Sequence, residues 1–323
     1  MGGGNQVVAF LSRFIVLTIL AIGVVIHPDL AAADASFWTP AGPVAADQKA
    51  HFIRVTLLTM VAVVPVLVLV PLMLWRYRYR NTKAKFTPDW EYSGPLDLLM
   101  WGVPVVIVAV LSVQLWQSVK RLDPYRPVDT STPILHVQVV GLDWKWLFVY
   151  PDLGIASIGE LAFPTNRQVG LSLTSDTVMQ SFVVSALAGQ IYVMPGMTTN
   201  LHLEADAPGR FQGQNTQFNG EGFTQQKFDA IGMSEQAFEH WVASVRDTGV
   251  PLDPASYEVV SARSTQAEAR GVLGTDAMPD DALYFSSVPD DFFNSIVARY
   301  HAGVAVSAAH QPGAPAPLEA GTR

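Results

Sequence analysis

GLDWKWLFVYPDLGIA, residues 141–156, and TSDTVMQSF, residues 174–182, decide how this chain is read. The first sets two tryptophans and an aromatic, β-branched run between a glycine and a Pro-Asp turn signal, which is the local grammar of a strand. It follows closely on the second of two long apolar runs, residues 55–75 and 98–119, neither of which carries a charged residue. Each run is long enough to cross a hydrocarbon core of roughly 30 Å. Pro65, Pro71 and Pro104 are tolerable inside them, because neighbouring helices can satisfy the backbone groups that proline frees. A tryptophan-rich strand is therefore expected at one membrane face, with a β-domain beyond it.

The connecting loop sets the orientation. RYRYRNTKAKFTPDWEYSGP, residues 76–95, crowds Arg76, Arg78, Arg80, Lys83 and Lys85 against the end of the first span, and short positive loops stay on the cytoplasmic side. The β-domain is then periplasmic, on the outer side of a bacterial inner membrane crossed by a hairpin spanning residues 50–119. Trp75, Tyr77, Tyr79, Trp101 and Trp116 near the span ends read as interfacial anchors. Ahead of the hairpin, Arg13 precedes an apolar stretch of modest length at residues 14–26, followed by HPDLAAADAS. That pattern predicts a signal peptide over residues 1–35, cleaved after Ala33 or Ala35, with an uncleaved anchor as the alternative.

Beyond the hairpin, residues 132–231 read as β structure. ILHVQVV (134–140), QVGLSL (168–173) and the segments 190–193 and 199–203 alternate apolar and polar residues. Pro151-Asp152, Pro195-Gly196 and Pro208-Gly209 punctuate them. Short strands at this spacing predict a sandwich or Greek-key barrel. A C-terminal helical extension, 232–301, is expected to hold one helix over 234–246, with Ser234 as N-cap and Phe238, Trp241, Val242 and Val245 on one face. A second is expected over 289–300, with Phe292, Phe293, Ile296, Val297 and Tyr300 at helical spacing. The Ala-, Pro- and Gly-rich tail, 302–323, reads as disordered.

Composition narrows the function. The chain has 323 residues, 50% of them hydrophobic, and a net charge of −8. From Lys120 onward it carries 12 basic and 22 acidic residues, a balance of −10 that argues against a nucleic-acid partner. With no cysteine, thiolate metal sites, disulfides and iron–sulfur clusters are excluded. The seven histidines, His27, His51, His136, His202, His240, His301 and His310, fall in no ligand spacing, so no metal site is expected.

The signal segment, hairpin, DWKW strand and β-domain together resemble subunit II of the haem–copper oxidases. The resemblance implies a membrane-anchored protein whose outer domain is an all-β, cupredoxin-like Greek key. In the cytochrome c branch of that family the domain holds a dinuclear copper A centre on a His, Cys-x-x-x-Cys, His and Met pattern. Those ligands map onto Gln180, Asn215, Asn219, Phe223 and Gln226, with Gln217 between the two cysteine positions. Copper of this kind requires thiolate and imidazole, and none of these residues supplies either.

An intact frame with the ligands lost is similar to subunit II of the cytochrome o-type ubiquinol oxidases. IASIGELAFPTN, QIYVMPGM, PGRFQGQNTQFNGEGF and LYFSSVPDDFF carry that likeness. It implies a proton-pumping complex that oxidises ubiquinol and reduces oxygen to water. Haems and copper B would reside in a partner subunit I, subunits III and IV would complete the assembly, and cytochrome c would not be a donor. This chain would hold no cofactor. The lipobox cysteine common in that branch is missing, so acylation is not expected. Trp144 sits where the cytochrome c branch receives electrons; here Trp144 and Trp146 are expected to pack under the domain and against subunit I. Asp97, at the inner start of the second span, matches a family glutamate near the mouth of a proton channel. It is the residue expected to assist proton uptake, set against a plain helix-dipole role. Two other readings remain open: a membrane-tethered cupredoxin-like binding or assembly protein, and a cytochrome c oxidase subunit with a degenerate copper site.

Overall fold

A computed structural model describes residues 36–84, 87–128, 133–274 and 282–303. The expected signal segment lies outside the described residues, as does the tail beyond residue 303. Among the described residues the chain divides into two compact units, 50–121 and 36–49 joined to 122–303.

Two helices make the first unit: α1 (Pro43–Arg76), whose first residues fall in the other unit, and α2 (Gly94–Arg121). Both are long and apolar enough to cross a membrane. At 1.5 Å per residue, the 34 residues of α1 reach about 51 Å, well past the hydrocarbon thickness. The excess is the polar N-terminal part carrying Asp47, Lys49, His51 and Arg54. The spans present Leu67, Leu74, Leu98, Trp101 and Val106 outward, as lipid or another apolar helix requires. Inside the hairpin, Ser118 Oγ meets His51 Nδ1 at 2.8 Å. Thr59 and Ser112 return their hydroxyls to the carbonyls of Val55 and Val108, which satisfies them within their own helices.

The second unit is a β-sandwich with helices on it. In chain order its strands are β1 (Leu135–Leu142), β2 (Lys145–Tyr150), β3 (Ile155–Ile158), β4 (Glu160–Pro164), β5 (Val169–Ser175), β6 (Gln180–Val184), β7 (Ala188–Val193), β8 (Thr199–Leu203), β9 (Gly209–Asn215), β10 (Lys227–Met233), β11 (Val250–Pro251) and β12 (Leu283–Ser287). Seven form one sheet in the order β11-β12-β3-β2-β1-β5-β8; the other five form a second in the order β4-β10-β9-β6-β7. Parallel β1–β5 and β4–β10 pairs among antiparallel neighbours give the cupredoxin-like Greek key that the sequence predicts. Trp146, Phe148, Phe163, Phe182, Phe211 and Phe228 fill the space between the sheets.

The strands differ from the sequence reading in three features. DWKW is not a continuous strand: Leu142 pairs with Lys145, so Asp143 and Trp144 form a two-residue hairpin turn, with Trp144 at φ 68. A bulky residue there is held by its surroundings rather than by preference. The C-terminal extension is not purely helical either. It contributes β11 and β12, and Leu283–Ser287 extends the larger sheet by pairing with β3. LYFSS carries the alternation and aromatic content of a strand, but the helical pattern that follows it masks the signal. Finally, β2 is buried at every position. Its inner face packs into the sandwich, while Leu147 and Val149 on the outer face lie under Leu252, Val260, Phe293 and Ile296 of the extension. Burial on both sides explains why KWLFVY shows no alternation.

The extension's helices are α3 (Glu235–Thr248), α4 (Pro254–Ser261), α5 (Gln266–Leu273) and α6 (Phe292–His301). Ser234 caps α3 by accepting from Ala237 N, as its sequence position predicts. Thr265 and Glu268 close a capping box on α5. The last helix starts at Phe292 rather than Pro289, since Asp291 adopts φ 58 and interrupts the helical path just before it.

Candidate functional site

The residues at the mapped ligand positions come from two strands and from the chain between β9 and β10. Gln180 opens β6, Asn215 closes β9, Asn219 lies in the loop between β9 and β10, and Gln226 immediately precedes β10. Gln180 and Gln226 are fully buried and Asn215 is 4% exposed. Buried amides must find partners, and these find one another. Gln226 is the hub. Its Oε1 accepts from Asn215 Nδ2 (3.0 Å) and Asn219 Nδ2 (2.7 Å), and its Nε2 donates to Gln180 Oε1 (2.6 Å), Leu142 O (3.2 Å) and Lys145 O (3.3 Å). Gln180 Nε2 donates to Leu142 O (3.0 Å) and Thr177 Oγ1 (3.1 Å). Asn215 Oδ1 accepts from the N–H groups of Ser181 and Gln217, and its Nδ2 also reaches Gln217 O at 2.8 Å.

Four of the mapped positions are thereby brought together. Gln217 joins through its backbone, and Phe223 does not join: it begins a short 3₁₀ turn and packs its ring 5.7 Å from Phe218. The donor set does not fit a copper A centre. Neutral amide oxygens are poor partners for a soft thiolate-seeking metal, and those of Gln180, Asn215 and Gln226 already accept hydrogen bonds. What the cluster does chemically is tie β6, β9, β10 and the β1–β2 hairpin to each other. Gly141 permits the close approach, because a Cβ there would lie 2.7 Å from Gln180 Oε1.

The two tryptophans divide. Trp146 is 1% exposed and packs edge-on to Phe182 at 5.2 Å, so it belongs to the domain core and offers no surface to another subunit. This corrects the expectation that both tryptophans face subunit I. Trp144 is half-buried. Its Nε1 lies 3.4 Å from Asn219 O, its ring is stacked by the Arg263 guanidinium at 4.9 Å, and Gly222 lies so close that a Cβ would sit 2.1 Å from the indole.

Sequence reasoning missed three buried charges beside this site. Lys145, 1% exposed, directs Nζ at Asp143 O (3.2 Å), Ala262 O (3.1 Å), Ser264 Oγ (2.9 Å) and Ser264 O. The chain between α4 and α5 is thus pinned to the hairpin. Burial pulls the Lys145 ammonium down to about 7, with Asp143 and Glu268 opposing that pull. Asp143 is itself pushed up by burial, against the hydrogen bond from Thr177 and the nearby Arg263 and Lys145. Asp176 receives the hydroxyls of Tyr257 (2.5 Å) and Tyr300 (3.0 Å) and an ion pair from Arg299, which anchors α4 and α6 to the loop before β6. A lysine inside an otherwise apolar run was the one visible signal; its partners lie 117 and 119 residues away in sequence.

A prediction follows for Lys145. Lys145→Met leaves three carbonyls without their donor and is expected to lower stability by about 3 kcal/mol, read as a drop in the thermal midpoint. The wild type has a pH signature as well. Between about 7 and the ordinary lysine value the unfolded chain binds a proton that the folded domain does not, so this group adds stability as pH rises through that window. The thermal midpoint of the wild type should rise from pH 7 to pH 9 relative to that of Lys145→Met. Parallel pH profiles would refute the assignment.

Asp97 occupies the first turn of α2, half-buried, with its N–H bonded to Ser93 O at 2.9 Å. A carboxylate there is favoured by the helix dipole.

No family model matches the chain. Curated relatives do. The chain is 40% identical over 292 residues to the cytochrome bo(3) ubiquinol oxidase subunit 2 of Pseudomonas aeruginosa, covering 90% of this chain and 84% of that one. It is 38% identical to the protein of the same name from Pseudomonas putida, over 81% of each chain. It is 36% identical to the ubiquinol oxidase subunit 2 of Acetobacter aceti, over 85% of this chain and 86% of that one.

Proposed function

The chain belongs to the quinol oxidase subunit 2 family, and on that premise we propose that it is the non-redox subunit II of a proton-pumping complex that oxidises ubiquinol and reduces oxygen to water. The observation that carries the reading is the amide hub at Gln226. Where an electron relay would need thiolate and imidazole, three buried amides and Asn219 hydrogen-bond to one another through Gln226, so electrons have no path through this domain from a water-soluble donor. They would come instead from a quinol in the membrane. Family membership over most of the chain favours the oxidase over a free-standing tethered binding or assembly protein.

In this reading the domain is periplasmic, the two long helices cross the inner membrane and pack on subunit I, and subunits III and IV complete the assembly. Haems and copper B belong to subunit I. The domain covers the outer face, and Asp97 assists proton uptake from the inner side, where a titratable group at a helix start is costly to keep unless it borders water.

The test is the donor. Oxygen consumption by the purified complex should proceed with ubiquinol and remain at background with reduced cytochrome c. Efficient turnover with cytochrome c would overturn the reading, and purification of the chain without a haem-containing partner would favour the tethered alternative.

A further inference from the structure

The segment that follows α1 is more than a topological signal. Arg76, Arg78, Arg80 and Lys83 are exposed within eight residues, and among the described residues none of them pairs with a carboxylate. The segment does not trail away from the helix. Tyr77 N continues the helical pattern to Met73 O, Asn81 Nδ2 donates to Arg76 O at 2.5 Å, Asn81 N donates to Arg78 O, and Lys83 N returns to Asn81 Oδ1 at 3.1 Å. The chain therefore curls at the end of α1 and keeps its cations there. The Arg78 guanidinium sits 5.4 Å from the Trp75 ring centre, which fixes one cation at the level of an indole closing the apolar span. Tyr77 and Tyr79 alternate with the arginines and are 66% and 105% exposed.

We propose that residues 76–83 form a binding surface for the phosphodiester headgroups of anionic phospholipids. Four like charges this close repel one another, and a partner of opposite charge at headgroup depth relieves the repulsion. Arginine is the side chain suited to it, because the guanidinium fork matches two phosphate oxygens and keeps its charge at any physiological pH. The interleaved tyrosines supply rings that prefer the boundary between tails and headgroups. The surface begins where the apolar span ends, so the membrane itself is the adjacent phase. The acids of the same loop, Asp89 and Glu91, come only later in the chain and leave the basic half unneutralised.

The experiment counts lipid on the intact complex. Wild-type and Arg78→Gln/Arg80→Gln/Lys83→Gln complexes, purified in a mild neutral detergent, are extracted and their phospholipids quantified by headgroup per haem. They are then exchanged into vesicles of phosphatidylcholine with and without phosphatidylglycerol. Each basic group near an anionic surface contributes roughly fivefold in partitioning, so removing three should weaken retention of phosphatidylglycerol by about 10²-fold while phosphatidylcholine is retained equally. Arg78→Lys/Arg80→Lys, which keeps the charge, should hold most of the anionic lipid. Raising salt from about 0.1 M to 1 M should strip that lipid from the wild type, since screening shortens to about 3 Å. This arm needs no variant. Equal anionic-lipid retention by wild type and triple variant, or retention insensitive to salt, overturns the proposal. So does a triple variant that keeps its lipid but loses a partner subunit, which would assign the surface to an acidic protein face.

Discussion

Gln180→His, Asn215→Cys, Asn219→Cys, Phe223→His and Gln226→Met, introduced together, are expected to give a domain that holds a purple dinuclear centre, whereas the wild-type domain is expected to take up no stoichiometric copper. The structure supplies the reason to expect success. Four of the five positions already meet through hydrogen bonds of 2.6–3.0 Å, so their backbones converge on one point without rearrangement. Phe223 starts the turn that leads into Gln226 but packs its ring on Phe218, so the histidine introduced there must turn from that contact to complete the set. The redesign carries a definite cost. Removing the Gln226 amide strips Leu142 O and Lys145 O of a donor, and the metal-free variant should lose about 2–4 kcal/mol of stability. Bound copper should restore it, because metal that binds only the folded state stabilises that state. Metal analysis after copper loading, with thermal unfolding of loaded and unloaded protein, reads both effects. Stoichiometric, tightly held copper in the wild type would refute the ligand mapping.

That expectation also marks where sequence reasoning reaches its limit. The loss of copper ligands is legible from residue types alone, because no arrangement of Asn, Gln and Phe provides a thiolate. The replacement is not. Nothing local in QNTQFNG announces that Asn215, Asn219 and Gln226 share one acceptor, since the contact depends on β9 and β10 turning back on each other. A strand with one wet face is legible from its alternation, and Thr199–Leu203 falls where that alternation places it. β2 lacks that alternation because the extension covers its outer face, so DWKW was read as one strand when it contains a turn. Ser234 was legible because an N-cap is a local hydrogen bond. Lys145 and Asp176 were not, because each depends on partners more than 80 residues away. Short-range chemistry is written in the sequence; a buried charge is defined by what the fold brings to it.

Asp97→Asn is expected to slow steady-state oxygen reduction by roughly tenfold or more, approaching the loss seen when a positioned proton-transfer group is removed. Asparagine nearly preserves the shape of the side chain and removes its titratable proton, so the comparison isolates chemistry from packing. The complex should assemble normally with its haems intact. Asp97→Glu should keep most of the activity, because a carboxylate remains at the start of α2 and reaches one methylene further. A helix-dipole role gives a different pattern. The carboxylate then contributes about 0.3–1 kcal/mol to the stability of the helix start, and either substitution leaves turnover unchanged. Rate at constant assembly separates the two, and the pH series sharpens the comparison. A proton-gathering carboxylate makes the wild-type advantage largest at high pH, where free protons are scarce, whereas an electrostatic cap on a helix has no reason to follow proton supply. Fully assembled Asp97→Asn enzyme turning over at the wild-type rate across that series would remove the proton-uptake role and leave Asp97 as a cap.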